Sequence, residues 1–129
     1  MRLLLDTHAL LWLLDGDPRL ESRACDLVTD PANAVFVSSV SLWEIAVKLR
    51  IGKLSANLPQ IIAGIQETGL QFLNITHQHY LKLVSISVFT DHKDPFDHLL
   101  IAQAMTENMV LVSDDRNVPR YGVQCIPCR

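Results

Sequence analysis

The stretch DHKDPFDHLLIAQAMTENMVLVSDD, residues 91–115, holds a helix, a strand and five aspartates in one run. Asp94 suits a helix N-cap, because an Asx side chain accepts orphan amides and Pro95 fits the first helical position. From Pro95 to Glu107 the pattern is apolar on more than one face, with Leu99, Leu100, Ile101 and Ala102 in succession, which places this helix in the middle of a layer. MVLVS (109–113) is then a short continuous apolar run, as expected for a strand buried on both faces. Asp97 fits this frame least easily. At helical spacing it shares a face with Leu100, Ile101 and Ala104, so a carboxylate points where the core points.

Working outward, the same alternation repeats. RLLLD (2–6) reads as a buried strand and THALLWLL as the helix after it, with a second helix, PRLESRACDLV, opened by Pro18. AVFVSS (34–39) is a β-branched, aromatic strand followed by the helix SLWEIAVKLRIGKL, whose Leu42, Ile45, Ala46 and Leu49 form one stripe. A helix from near Pro59 to Gly69, a strand LQFLNI (70–75), a helix capped by Thr76 and a last short strand in VQCIPC complete the chain. Strands alternating with helices imply right-handed crossovers and a mainly parallel central sheet covered on both faces, an α/β fold.

Composition sets the outer bounds. The chain has 129 residues, 49% hydrophobic and 19% charged, which fits one domain over residues 1–129 with a real core. The opening MRLLLDTHALLWLL resembles a signal peptide only superficially, since Asp6 and His8 break the apolar run and no small-residue cleavage site follows. No segment reaches the ~18 apolar residues of a membrane span, so the sequence reads as soluble and cytoplasmic. Three cysteines do not make a disulfide framework. Cys125 and Cys128 lack both the following helix of a redox motif and the second ligand pair of a zinc site, and read as packing residues of a terminal strand. A net charge of −3, from 14 acids against 11 bases, is no nucleic-acid footprint by itself.

In a parallel sheet, ligands bind outside the carboxyl ends of the strands, where the helix N-termini also lie. Asp6 ends the first strand there, Asp114 and Asp115 follow the strand 109–113, Glu44 sits in about the first turn of its helix, and Asp94 and Asp97 open theirs. Each has a structural explanation of its own: Asp6 and Asp94 as caps, Glu44 in a capping box with Ser41, Asp114 and Asp115 as a polar turn. One shared explanation covers them all. Clustered carboxylates without a histidine or cysteine pattern suit Mg²⁺ or Mn²⁺, which relieves their repulsion and can activate water against a phosphoryl group. Thr7 and Ser113 flank the site as hydrogen-bonding groups. Lys48, one turn beyond Glu44, faces a phosphate or pairs with Glu44. Lys48, Arg50, Lys53 and Arg116 are the candidate basic rim around this acidic centre. Trp43, Val47 and Ile51 form a second apolar stripe on the Glu44 helix, a candidate contact for a second copy or a protein partner.

LLLDTHALLWLL, SSVSLWEIAVKLRIGKL and DPFDHLLIAQA followed by LVSDD together resemble a PIN-domain ribonuclease of the VapC toxin type, across essentially the whole chain. The resemblance implies a three-layer α/β/α sandwich and a Mg²⁺- or Mn²⁺-dependent endoribonuclease. It further implies a homodimer held in check by a cognate antitoxin protein that occupies the active-site groove. By position, Asp6, Glu44 and Asp97 match the family's metal-binding acids and Asp115 a more variable fourth, with Asp94 in support and the choice between Asp114 and Asp115 open. His98 stands where the family often has arginine.

Three rival readings stay in view. A phospho-acceptor receiver domain has a similar length and sheet, but wants an acidic pair after the first strand and a lysine after the last, where this chain has Thr7 and CIPCR. A catalytically silent PIN-like binding module would not need intact acids at every matched position. An RNA-processing PIN nuclease without a toxin role has the same acids.

Overall fold

A computed structural model describes residues 1–129. In chain order the elements are β1 (Arg2–Leu5), α1 (Thr7–Asp15), α2 (Ser22–Thr29), β2 (Ala34–Ser38), α3 (Ser39–Arg50), α4 (Leu58–Glu67), β3 (Gln71–Leu73), α5 (His77–Ser85), α6 (Pro95–Glu107), β4 (Val110–Ser113), a 3-10 turn (Val118–Tyr121) and β5 (Cys125–Pro127). The five strands form one sheet in the order β3-β2-β1-β4-β5, and every pairing is parallel. The expected mainly parallel sheet is therefore wholly parallel.

β1 is the centre of the sheet because its three leucines can be buried on both sides. Side chains alternate across a strand, and Leu3, Leu4 and Leu5 are all essentially inaccessible. Leu3 and Leu5 join a cluster with Ala9 and Leu10 of α1, Ala24 and Val28 of α2, and Ile61 and Ile65 of α4. Leu4 joins the other cluster, with Leu100, Ile101 and Ala104 of α6. Helices thus cover both faces, giving the α/β/α layering. α6 runs over the middle of its layer, with every residue from Leu99 to Ala104 buried, as its all-round apolar pattern requires.

Four local expectations need correction. The second helix begins at Ser22, not at Pro18. Asp17 takes the Arg19 amide (2.9 Å) and guanidinium on its carboxylate, a local turn that competes with helix. α3 is capped by Ser38, whose hydroxyl accepts from the Val40 amide, so Ser41 is not the cap and Glu44 lies in the second turn. Ala46 is exposed, which narrows the core stripe of α3 to Leu42, Ile45 and Leu49. LQFLNI contributes only the three residues of β3 at the sheet edge, where a short strand limits unwanted pairing. At the opposite edge, Cys125 pairs with Leu111 and Cys128 is buried, both as free thiols. Burial pushes the Cys128 thiol up to about 12. No helix is long and apolar enough to cross a membrane.

Candidate active site

β1 and β4 lie side by side, and the chain leaves β1 toward β2 on one side and β4 toward β5 on the other, which makes their carboxyl ends the switch point where parallel sheets place ligands. A cleft of about 270 Å³ opens there, lined by nine residues of which none is hydrophobic. Six carry carboxylates: Asp6, Glu44, Asp94, Asp97, Asp114 and Asp115. The others are Thr7, His8 and Lys48.

Asp6 continues the sheet by donating its amide to the Val112 carbonyl (2.9 Å) and caps α1 by accepting from the Ala9 amide (2.8 Å). Its cap role and its place in the cleft coexist, because one carboxylate oxygen suffices for the cap. Burial first, and the Asp114 charge in addition, push its pKa up to about 6 against the opposing hydrogen bonds from Ala9 and Ser113. Glu44 reaches the cleft from α3 and is 5% exposed. Its Oε1 accepts from Thr7 Oγ1 (2.5 Å) and its Oε2 from the Lys48 ammonium (2.5 Å). Lys48 is thus paired with Glu44, and it also lines the cleft.

Asp94 caps α6, taking the Phe96 amide at 2.9 Å and the Asp97 amide at 3.4 Å on one oxygen. The first turn so fixed carries Asp97 inward. Burial, then the charges of Asp94, Asp115, Glu44 and Asp6, push the Asp97 carboxyl up to about 8. A half-buried carboxyl raised by burial and, after it, by four neighbouring acids is one that a bound cation would relieve.

The two aspartates after β4 diverge. Asp114 meets His8 Nδ1 (3.2 Å), on an exposed ring stacked on Trp12. Asp115 turns toward Asp97: its Oδ2 lies 2.7 Å from His92 Nε2, and the same nitrogen lies 3.4 Å from Asp97 Oδ2. Burial works against its charge, yet the Asn117 amide and His92 outweigh burial and hold its carboxyl below the usual range. Ser113 closes the loop by accepting the Asp115 amide at 3.0 Å.

Sequence reasoning missed His92, which with Asp97 and Asp115 brings three potential ligand atoms within 4.8 Å of one another. Its only sequence signal is its place two residues before the α6 cap. It also missed Tyr121, and His98 is turned inward onto both. Of the four basic candidates, Lys48 lines the cleft, while Arg50, Lys53 and Arg116 are exposed and outside its lining. On the second apolar stripe, Trp43 packs edge-on against Phe96 at 4.7 Å yet stays half exposed, and Ile51 is exposed.

Donor chemistry decides what this cleft can hold. Carboxylates from four separate elements supply hard oxygen atoms, and Lys48 is the one permanent cation among the lining side chains. That set fits Mg²⁺ or Mn²⁺ and does not fit a soft metal.

No curated protein matches the sequence. Among solved structures, VapBC2 from Rickettsia felis bound to a DNA fragment from its promoter superposes with a TM-score of 0.71 at 16% identity, over 98% of each chain. DNA-bound VapBC from Salmonella typhimurium gives 0.69 at 16% identity, over 98% of this chain and 97% of that one. FitAcB from Neisseria gonorrhoeae gives 0.68 at 15% identity, over 97% and 96%. At such identities the likeness is one of fold. The PIN domain model, however, matches the sequence itself over residues 3–124. That span runs through every residue lining the cleft, and the chain belongs to the PIN-domain family.

Proposed function

We propose that this chain is a Mg²⁺- or Mn²⁺-dependent endoribonuclease of the VapC type, a single catalytic domain that hydrolyses RNA phosphodiester bonds as the toxin of a toxin–antitoxin pair in the cytoplasm. The observation that carries this reading is the convergence of Asp6, Glu44, Asp97 and Asp115 from four elements on one polar cleft, with Asp6 and Asp97 held above the carboxylate range. Family membership leaves the phospho-acceptor reading without support.

These four acids would hold the metal, which when bound supplies an activated water and charge neutralisation at the phosphoryl group. The chain's own residues do the rest. Thr7 orients Glu44, and Ser113 ties down the Asp115 amide. Asp94 locks the first turn of α6, and Asp114 adds negative charge at the rim. Lys48 lies where it can turn from Glu44 to a scissile phosphate. Arg50, Lys53 and Arg116 supply the basic rim that an acidic protein needs to hold RNA, each adding about one unit to the salt dependence of binding. VapBC neighbours and the half-exposed stripe of Trp43, Val47 and Ile51 support an antitoxin contact and a homodimer on this side.

Purified protein incubated with RNA should cleave it in Mg²⁺ or Mn²⁺, lose activity in EDTA, and lose it again as Glu44→Gln. Mapping the cut ends after brief expression identifies the target. Cleavage that persists in EDTA, or in Glu44→Gln, removes the proposal.

A further inference from the structure

We propose that His92 is a positioning residue of this site: its imidazole holds Asp115 against Asp97 and so selects Asp115, rather than Asp114, as the fourth acid. The inference rests on the metal-nuclease reading of the cleft.

The ring is 7% exposed and fixed on every polar atom. Its backbone amide donates to the Phe89 carbonyl at 3.2 Å, closing the turn before α6. Its Nδ1 lies 2.7 Å from Tyr121 Oη, and Tyr121 is buried edge-on against Phe89. His98 Nε2 lies 2.8 Å from the His92 carbonyl and 3.1 Å from Tyr121 Oη.

The proton positions follow from donor and acceptor capacity. A carbonyl only accepts, so His98 carries its proton on Nε2 and shares it with the phenol oxygen. The phenol proton is then free to donate to His92 Nδ1. His92 Nε2 faces the Asp115 carboxylate, which accepts its proton at 2.7 Å, and the same nitrogen lies 3.4 Å from Asp97 Oδ2. A bare Nε2 would aim its lone pair at the Asp115 carboxylate. A protonated Nε2 is no metal ligand, so His92 acts through the acids it orients. The Asn117 amide, 2.8 Å from Asp115 Oδ1, holds the other oxygen of that carboxylate. Asp114 has only the exposed His8. Partners of this kind, one step behind the ligating carboxylates, commonly change metal affinity 10- to 100-fold when removed.

The test is Mn²⁺ binding by the full chain, measured by calorimetry and by electron paramagnetic resonance, with folding checked from melting in EDTA. His92→Ala should weaken Mn²⁺ by about 10- to 100-fold and lower kcat more than it raises KM for RNA. His92→Gln, which keeps an N–H donor, should recover part of the loss. Tyr121→Phe, which removes the partner of Nδ1, should weaken Mn²⁺ in the same direction but less, and tests the chain of hydrogen bonds if His92→Ala fails to fold. Unchanged Mn²⁺ affinity in folded His92→Ala overturns the proposal, as does a directly bonded nitrogen signal that His92→Ala abolishes. Wild-type protein that binds no Mn²⁺, or binds it equally as Asp97→Asn, overturns the metal-nuclease reading and this inference with it.

Discussion

The Lys48 ammonium sits 2.5 Å from Glu44 Oε2, one turn along α3, while Thr7 holds Oε1 of the same carboxylate at 2.5 Å. Glu44 is buried, and a buried carboxylate is tolerated only with partners that satisfy its charge and lone pairs. The hydrogen bond to Glu44 raises the Lys48 pKa, so the ammonium stays charged and serves as the cleft's internal counter-ion. Lys48→Met should therefore destabilise the metal-free protein by about 1 kcal/mol, a modest figure because the ammonium is partly solvated. That corresponds to roughly 4 °C in melting temperature. Saturating Mn²⁺ should restore most of the difference. Equal melting of both proteins in EDTA would show that Glu44 does not depend on Lys48.

The metal-free cleft should also titrate. Asp97 is raised to about 8 and Asp6 to about 6, from ordinary values of 3.8. Between about pH 4 and pH 8 the folded protein therefore holds more protons than the unfolded chain at these sites. Stability contributed by these sites then falls as pH rises through that window and levels off above it. In EDTA the melting temperature should be higher at pH 5 than at pH 8. Millimolar Mg²⁺ or Mn²⁺ should raise it at pH 8 by more than NaCl of the same ionic strength, since only the folded state binds the ion. A metal-free melting temperature that climbs steadily from pH 5 to pH 8 would refute the strained-acid account.

Much of the fold and of the cleft is legible in the sequence, for identifiable reasons. RLLL is continuous in its apolar character because β1 is buried on both faces, and the acids share an edge because parallel topology sends every strand end and helix start there. What escaped reading depends on contacts that have no period. His92 meets Tyr121 and Asp115 across 29 and 23 residues through side chains alone. The choice of Ser38 over Ser41 as the α3 cap turns on where β2 ends, and SSVS offers several equivalent hydroxyls. Asp17 overrides Pro18 as the local organiser because its carboxylate takes both the amide and the guanidinium of Arg19.

A buried polar network behind the site allows stability to be separated from function. Ser38 Oγ lies 2.5 Å from Gln103 Oε1, and Gln103 Nε2 lies 3.2 Å from His79 Nδ1, whose Nε2 meets Glu107 at 3.0 Å. Ser38, His79 and Gln103 are all 0% exposed. Gln103→Leu removes a partner from two buried groups and should cost about 1–3 kcal/mol. None of these residues lines the cleft, so the Mn²⁺-induced rise in melting temperature should survive. Losing that rise in a protein that still folds would mean the network shapes the site.

Asp94 and Asp97 lie three residues apart, and isosteric variants should divide their roles. Asp97 faces the core side because the cleft, not the apolar interior, receives it, and the Asp94–Pro95 start of α6 fixes its direction. Asp97→Asn keeps the size and a carbonyl oxygen but removes the charge. RNA cleavage in Mg²⁺ should fall by on the order of 100-fold or more, the scale of losing one group aimed at developing charge. The same variant should melt higher than wild type in EDTA at pH 8, where repulsion is greatest. Asp94→Asn should retain most activity, since asparagine caps as well as aspartate. Asp94→Ala should lose about 0.5–2 kcal/mol of stability with the cap. Wild-type cleavage by Asp97→Asn would refute the metal-site assignment, and an unfolded Asp97→Asn would make Asp97 a structural residue.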